Sequence, residues 1–122
     1  MDLENIINNA WTNRELLKDS NTIIAIEKVI EMLDIGELRV CDKDNEVWIT
    51  NQWIKKAVIL YFPIRKMETI EIGPLEFHAK MKLKSNYALK GVRVVPHAIA
   101  RYGSYLARNV IMMPSYVNIG AY

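Results

Sequence analysis

The last thirty residues place the tightest limit on what this chain can fold into. Their aliphatic side chains recur, but prolines and glycines interrupt them, so no long helix can form. Met113 precedes Ile119 by six positions and follows Leu106 by seven. This spacing is typical of a coil of a hexapeptide β-helix, although an edge-strand meander would produce it too. The interrupting residues are Pro96, Gly103, Pro114 and Gly120.

The first half of the chain has a different pattern, in which apolar residues recur at helical spacings of three and four. Asp2 can cap the free N–H groups of a first helix, and Gly36 can end a second. A third helix should end where Pro63 forbids continuation, and its apolar residues indicate that it is largely buried. The three expected helices cover 2–16, Thr22 to about Gly36, and Asn51 or Gln52 to about Pro63.

Short alternating runs predict small strands around the third helix. Residues 38–40 and 47–49 flank the polar stretch 42–45, which suits a hairpin turn. Residues 67–72 alternate as a strand that ends at the following Gly-Pro pair, and the basic segment 80–91 is expected to be a loop or short helix. The predicted fold class is therefore α+β.

Charge is distributed unevenly along the chain. Residues 1–61 hold 7 basic and 11 acidic side chains, whereas residues 62–122 hold 9 basic and 3 acidic ones. Glu76 is the last acid, and seven Lys or Arg residues follow it. The stretch after Glu76 is expected to meet an anionic partner, and it cannot supply a carboxylate general base.

Several classes of protein are disfavoured by the sequence. Cys41 is the only cysteine, so no internal disulfide can form, and its neighbour Asp42 would not activate a thiol. The longest apolar run, 57–62, is far shorter than the roughly 20 residues that a membrane helix needs. The acidic N-terminus does not look like a signal peptide, so a cytoplasmic location is expected. No metal-ligand spacing, phosphate loop or nucleophile elbow occurs.

The remaining aromatic and basic residues allow more than one interpretation. Four lysines with nearby tyrosines could form a face for nucleic acid, could favour a phosphate-bearing ligand, or could be the solvent side of a strand. The three tryptophans are expected in the core or at a subunit contact. The residues concerned are Lys80, Lys82, Lys84, Lys90, Tyr87, Tyr102, Tyr105, Trp11, Trp48 and Trp53.

Three strings of the chain resemble one enzyme family. They are Asn51-Gln52-Trp53-Ile54-Lys55-Lys56-Ala57-Val58, Val92-Arg93-Val94-Val95-Pro96 and Met113-Pro114-Ser115-Tyr116-Val117-Asn118-Ile119-Gly120-Ala121-Tyr122. Together they resemble tetrahydrodipicolinate N-succinyltransferase, and the stretch 33–40 extends the resemblance over essentially the whole chain. The final string is the most specific, because Pro, Asn and Gly stand at fixed places in it.

The resemblance implies an acyltransferase of the bacterial diaminopimelate route to lysine. In that family succinyl-CoA, a cosubstrate rather than a bound cofactor, acylates the amino group of a ring-opened dicarboxylate. The resemblance also implies a homotrimer of left-handed β-helices with active sites between neighbouring subunits. No metal, membrane or nucleic-acid partner is expected. The chain would then divide into an N-terminal helical and hairpin domain, 1–91, and the first coil or coils of a left-handed β-helix, 92–122.

Arg93 is the one site residue that the resemblance assigns, as the family's substrate-binding arginine. A guanidinium group suits bidentate capture of a carboxylate. Without the resemblance, Arg93 would be interpreted as a surface arginine on a strand that leaves the helical domain. The segment between Lys80 and Arg93 looks shorter than in well-known members of the family, so the geometry around Arg93 is expected to differ from theirs.

The family's catalytic acids lie in later coils, so no catalytic or cofactor-binding residue is assigned in this chain. His78 and His97 are the only candidate bases after residue 76, and neither belongs to a recognised motif. We therefore expect the chain to be an enzyme segment that is inactive alone, with a stand-alone trimerisation or interaction module as the alternative. Aliphatic residues without a coil stacked above them would then be exposed, namely Leu106, Met113, Val117 and Ile119.

Overall fold

A computed structural model describes residues 1–122 of the chain. Helices dominate the first half, two hairpins follow the second and third helices, and four two-residue strands end the chain. The helices are α1 (Leu3–Thr12), α2 (Ser20–Asp34), α3 (Gln52–Ile64) and α4 (Tyr87–Lys90), with a 3₁₀ helix at Arg14–Lys18. The strands are β1 (Cys41–Asp44), β2 (Val47–Thr50), β3 (Glu68–Ile72), β4 (Leu75–Ala79), β5 (Arg93–Val94), β6 (Ile99–Ala100), β7 (Ile111–Met112) and β8 (Tyr116–Val117).

Aspartates begin the first two helices, as their positions in the sequence favour. The Asp2 carboxylate accepts a hydrogen bond from the Asn5 N–H at 3.1 Å. The Asp19 carboxylate accepts one from the Thr22 N–H at 3.1 Å, so α2 begins at Ser20 rather than at Thr22. Each aspartate satisfies an N–H group that has no partner within its helix.

The first helix is shorter than the expected span 2–16. It ends at Thr12, whose hydroxyl donates to the Asn9 carbonyl at 3.1 Å, and Asn13 is extended. The Asn13 side chain then accepts a hydrogen bond from the Glu15 N–H and caps the 3₁₀ helix. A local side-chain cap therefore replaces the continuation that the apolar spacing predicted.

The first hairpin is confirmed and its second strand lies where it was expected, but its first strand is displaced from 38–40. The polar residues 41–44 form β1 and pair antiparallel with β2, and the turn lies at Asn45 and Glu46. Both turn residues have positive φ, 45° and 68°. A two-residue turn of this kind matches the twist of the paired strands, and it moves the pairing away from 38–40.

Pro63 does not end the third helix, which continues to Ile64. A proline in the last turn removes only one hydrogen bond of a helix that is about to stop. The predicted strand at 67–72 is present as β3, and the Gly-Pro pair is the turn that connects it to β4, a partner strand that was not predicted. Residues 80–91 contain an isolated β-bridge and the one-turn helix α4.

The core lies between α1, α2 and α3, and the coil contributes to it. The twelve buried residues of this cluster are Ile7, Ala10, Ile26, Val29, Ile30, Leu33, Ile54, Ala57, Leu60, Tyr61, Met81 and Ile119. Trp11 and Trp53 pack against the cluster, whereas Trp48 is 62% exposed on β2, so a core position for Trp48 is wrong.

The last thirty residues wind through more than one turn of a coil, and strands of successive turns pair in parallel. Arg93 and Val94 of β5 pair with Ile111 and Met112 of β7, so the partners are 18 positions apart. Ile99 of β6 pairs with Tyr116 of β8, 17 positions later. An antiparallel meander, the alternative interpretation of the spacing, is excluded because both pairs are parallel.

Only part of the expected exposure in the coil is found. Met113 is 61% exposed, as expected, but Leu106 and Val117 are half-buried and Ile119 is buried. Ile119 avoids solvent by packing against the helical core beside Ile30 rather than under a further coil. The helical region therefore covers one side of the coil.

Candidate functional site

Arg93 lies on β5 with its side chain exposed. Its backbone N–H donates to the Val110 carbonyl at 3.0 Å, which ties the residue to the neighbouring coil strand. None of the six ion pairs in the structure includes Arg93. The guanidinium group is therefore held on a paired strand and has no acidic partner, which is the state that capture of a carboxylate requires.

The two histidines lie in different parts of the molecule. His78 is on β4, where its Nδ1 is 2.8 Å from the Thr69 hydroxyl across the hairpin. His97 is exposed in the coil corner between β5 and β6 and makes no side-chain hydrogen bond. The structure thus does not bring the histidines into one site with each other.

The four lysines do not share one exposed face, so their interpretation as the solvent side of a strand is wrong. Lys84 is only 5% exposed. Lys82 lies over the Tyr102 ring, with its Nζ 4.1 Å from the ring centroid, and Lys80 donates to the Phe62 carbonyl at 3.3 Å. This separation also weakens the nucleic-acid interpretation, because a continuous basic face is absent.

Asp34 is the residue that sequence reasoning missed. Its Oδ1 accepts hydrogen bonds from the Lys84 ammonium at 2.6 Å and from the Gly103 N–H at 2.9 Å. Lys84 also donates to the Asp34 carbonyl at 3.0 Å, and Lys90 Nζ is 3.7 Å from Oδ2. The residues that follow Glu76 include no carboxylate, but the Asp34 carboxylate at the end of α2 lies among them in the folded chain.

The surroundings of Asp34 alter the titration of nearby groups. Burial lowers the pKa of Lys84, and the hydrogen bond that Lys84 donates to Asp34 only partly opposes this shift. Burial, followed by the negative charges of Asp34 and Glu31, raises the pKa of Tyr102 from 10 to about 12. Both effects follow from charges held in a poorly hydrated junction between helix and coil.

One sequence signal could have identified Asp34. Residue 34 follows Ile30 by four positions, which places it on the apolar face of α2 with the buried residues Ile26 and Leu33. A carboxylate on a buried helix face requires a positively charged or hydrogen-bonding partner from elsewhere in the fold. The partner was not evident because Lys84 lies 50 positions away.

The described side chains contain no group of three or more His, Cys, Asp or Glu residues placed to hold a metal ion. None of the helices combines the length and the apolar character needed to span a bilayer. Cys41 is exposed on β1, with its Sγ 3.6 Å from the Thr50 hydroxyl.

The fold and the site define a class of protein in which a domain with three long helices is followed by a coil of parallel-paired strands. Asp34, buried and paired with Lys84, accepts a hydrogen bond from Gly103 of the coil, and Arg93 on the coil has no ion-pair partner. A family model described as tetrahydrodipicolinate N-succinyltransferase N-terminal matches residues 2–64. The chain belongs to this family.

Full-length relatives agree with this membership. Over 98% of its length the chain is 43% identical to 2,3,4,5-tetrahydropyridine-2,6-dicarboxylate N-succinyltransferase of Pseudoalteromonas translucida. It is 45% identical to the protein of the same name from Bordetella pertussis and 46% identical to that of an Azoarcus species, again over 98%. The matches cover 47% to 48% of these relatives, so the chain spans about half of their length.

Proposed function

We propose that this chain is the N-terminal segment of a cytoplasmic tetrahydrodipicolinate N-succinyltransferase. The complete enzyme transfers the succinyl group of succinyl-CoA to the amino group of the ring-opened dicarboxylate, a step in diaminopimelate and lysine biosynthesis. The observation that carries the proposal is the 43% to 46% identity that extends over 98% of the chain to relatives bearing this name.

In this proposal the coil is the first part of a left-handed β-helix built from hexapeptides. Parallel pairing at a distance of 18 positions supports it, since three hexapeptides make one coil of that length. The outward edges of β7 and β8 would receive the next coil, and the exposed side chains of Ile111, Met113 and Tyr116 would be covered in the homotrimer. The helical domain 1–91 would precede this β-helix.

Arg93 is proposed to bind a carboxylate of the dicarboxylate substrate. Its exposure and its lack of an ion-pair partner support this role. In an active site formed with later coils, removal of the guanidinium would leave the substrate carboxylate without a charged donor, a loss of about 1.5–3 kcal/mol. The catalytic groups and the CoA site are assigned to the later coils, so the chain alone is expected to be inactive.

The test joins residues 1–122 in frame to the second half of the Pseudoalteromonas translucida relative. The joined protein should release CoA from succinyl-CoA only when tetrahydrodipicolinate is present, and light scattering should give a trimer. Activity of the chain without the second half would contradict the assignment of catalysis to later coils. A folded, trimeric joined protein that releases no CoA would contradict the proposed function.

Substitutions in the joined protein test Arg93 separately. Arg93→Ala should raise KM for the dicarboxylate about tenfold to a hundredfold while KM for succinyl-CoA stays constant. Arg93→Lys should restore part of the loss, because it keeps the charge without the bidentate geometry. Arg101→Ala is the matched control, since Arg101 lies on the same coil and makes only long contacts, 3.4 Å to the Asn118 Oδ1 and 6.0 Å to the centroid of the Tyr116 ring. Equal kinetics for Arg93→Ala and Arg101→Ala would show that the role given to Arg93 is wrong.

A further inference from the structure

A cavity of about 260 Å³ lies where the end of α2 meets the coil. It is smaller than the 300–1,000 Å³ typical of sites for drug-sized ligands, so it suits a molecule of a few carbon atoms. Its lining residues are Asp34, Ile35, Lys84, Lys90, Tyr105, Leu106 and Arg108. Arg93 is not among them, so the inference below is independent of the proposed acyl transfer.

The charges that line this cavity are unbalanced. Three cations, Lys84, Lys90 and Arg108, face one carboxylate, that of Asp34. Both ammonium groups share this carboxylate, Lys84 at 2.6 Å and Lys90 at 3.7 Å. The Arg108 guanidinium donates only to the Leu89 carbonyl, at 3.3 Å. Two positive charges are therefore uncompensated in a partly enclosed space, where an anion is favoured.

Two glycines position the walls of the cavity. Gly36, at φ +82°, lies so close to Tyr105 that a Cβ there would be 2.8 Å from the ring. Gly91, at φ +68°, has the same relation to Arg108, whose guanidinium nitrogen would be 2.8 Å from an added Cβ. Only glycine permits both the backbone conformation and the close approach, so the absence of a Cβ at these two positions leaves room for the ring and the guanidinium group in the cavity wall.

The remaining lining is apolar and comes from Ile35, Leu106 and the Tyr105 ring. Such walls favour a ligand that carries a short hydrocarbon chain as well as charge. Arg108 can bind a carboxylate in bidentate fashion. Burial lowers the pKa of Lys84 with Lys90 contributing, and a second anion nearby would oppose that shift.

We propose that this cavity is a binding site for a small aliphatic carboxylate, which pairs with Arg108 and Lys90 and lays its hydrocarbon chain against Ile35, Tyr105 and Leu106. Lys84 and Asp34 form the floor of the site and keep their own pair. The site is new with respect to the acyl-transfer proposal, whose substrate contact is Arg93.

The binding test uses the full chain with sodium glutarate and sodium butyrate, neither of which is a substrate of the proposed reaction. Amide resonances of Gly36 and Gly91 should shift in a saturable way with both carboxylates. Inorganic phosphate at matched ionic strength should bind more weakly, because it has no hydrocarbon chain, and sodium chloride should not saturate. Tighter binding of phosphate, or no saturation by either carboxylate at about 10 mM, would overturn the proposal.

Substitutions test whether the carboxylate binds in this cavity. Arg108→Gln should weaken glutarate binding about tenfold, and Gly91→Ala should weaken it as well, because the added methyl group displaces Arg108. Lys66→Gln is the control, since it removes a positive charge from an exposed residue outside the cavity. If Lys66→Gln weakened binding as much as Arg108→Gln, the effect would be general electrostatic attraction and the proposal would be wrong. Failure here would leave the activity test of the joined protein unaffected.

Discussion

Asp34 is a buried carboxylate on which two segments of the chain depend. It neutralises Lys84, whose side chain is 1% exposed, and it accepts the backbone N–H of Gly103. A buried pair of this kind contributes little over a well-packed apolar pair, but removing one partner leaves a charge without compensation.

We predict that Asp34→Asn lowers the free energy of unfolding by about 3–5 kcal/mol. The double variant Asp34→Asn with Lys84→Met should recover most of this loss, because it holds no uncompensated buried charge while the amide oxygen can still accept from Gly103. Urea denaturation measures both. Glu31→Gln is the control, since the Glu31–Lys28 pair is about half exposed and its loss should change little. A double variant no more stable than Asp34→Asn would contradict this account.

The raised pKa of Tyr102 makes the stability of the fold depend on pH. Its folded-state pKa of about 12 lies above the ordinary value of 10, because burial and the charge of Asp34 disfavour the phenolate. Between these pH values the unfolded chain loses the proton that the folded chain keeps, so stability falls as pH rises. The lowered pKa of Lys84 has the opposite effect on stability. Just below pH 10.5 the folded chain has already lost the Lys84 proton that the unfolded chain keeps, so stability rises with pH there.

Tyr102→Phe should therefore lose less stability than the parent chain between pH 10 and about 12. Urea denaturation at several pH values measures the stability, and phenolate absorbance should show that the variant lacks a tyrosine that ionises at about pH 12. Identical slopes of stability against pH in the two proteins would exclude Tyr102 as the cause.

The roles of some single residues could be predicted from the sequence, and those of others could not. The capping role of Asp2 followed from its position before an apolar run, and α1 uses it. Lys84 was grouped with exposed lysines because a sequence records spacing along the chain and not the partner 50 positions away. The assignment of Arg93 to the substrate stays a prediction.

Among the elements, the first hairpin shows how turn geometry can override strand pattern. Asn45 and Glu46 both adopt positive φ, and glutamate does so at a cost that glycine avoids. Glu46→Gly should therefore raise the free energy of unfolding by up to about 1 kcal/mol, measured by urea denaturation. Lys43→Ala removes the exposed Lys43–Glu46 pair without changing the turn, and it should have little effect. Loss of stability in Glu46→Gly would contradict the strain argument.

Helices were the most predictable elements, because an apolar stripe repeated over three turns of α2 can be recognised locally. The ends of the helices were predicted less well, because α1 stops early at Thr12 and α3 continues past Pro63. The strand β4 was not predicted, although Leu75-Glu76-Phe77-His78-Ala79 alternates apolar and polar residues in the way that is typical of a strand.

At the scale of the whole molecule, one glycine controls the contact between coil and helices. A Cβ at Gly103 would lie 2.7 Å from Ile119 and 3.0 Å from Ile30, and the residue has φ +93°. Gly103→Ala should lower the free energy of unfolding by about 3 kcal/mol, from backbone strain and overpacking together.

Gly73→Ala separates these two causes. Gly73 also has positive φ, but nothing lies within 4 Å of an added Cβ, so the loss should be only about 1 kcal/mol. Both variants are compared by urea denaturation. Equal losses would show that the contact between Gly103, Ile119 and Ile30 contributes nothing.

The contact between the coil and the helices could not be predicted from the chain. The hexapeptide-like spacing indicated a coil, and parallel pairing of β5 with β7 agrees with it. The same spacing also led us to expect exposed aliphatic residues, whereas Ile119 packs into the helical core. Periodicity describes a repeating unit, but it carries no information about a neighbouring domain that covers one side.

The two pairing distances in the coil, 18 and 17 positions, limit how the length of this region can vary. Four residues separate β5 from β6, and three separate β7 from β8, yet both pairs of strands remain in register. An insertion or deletion of one residue is thus absorbed at a corner, whereas the same change inside a strand would turn inward side chains outward. We therefore expect the corners, and not the strands, to vary in length between related chains.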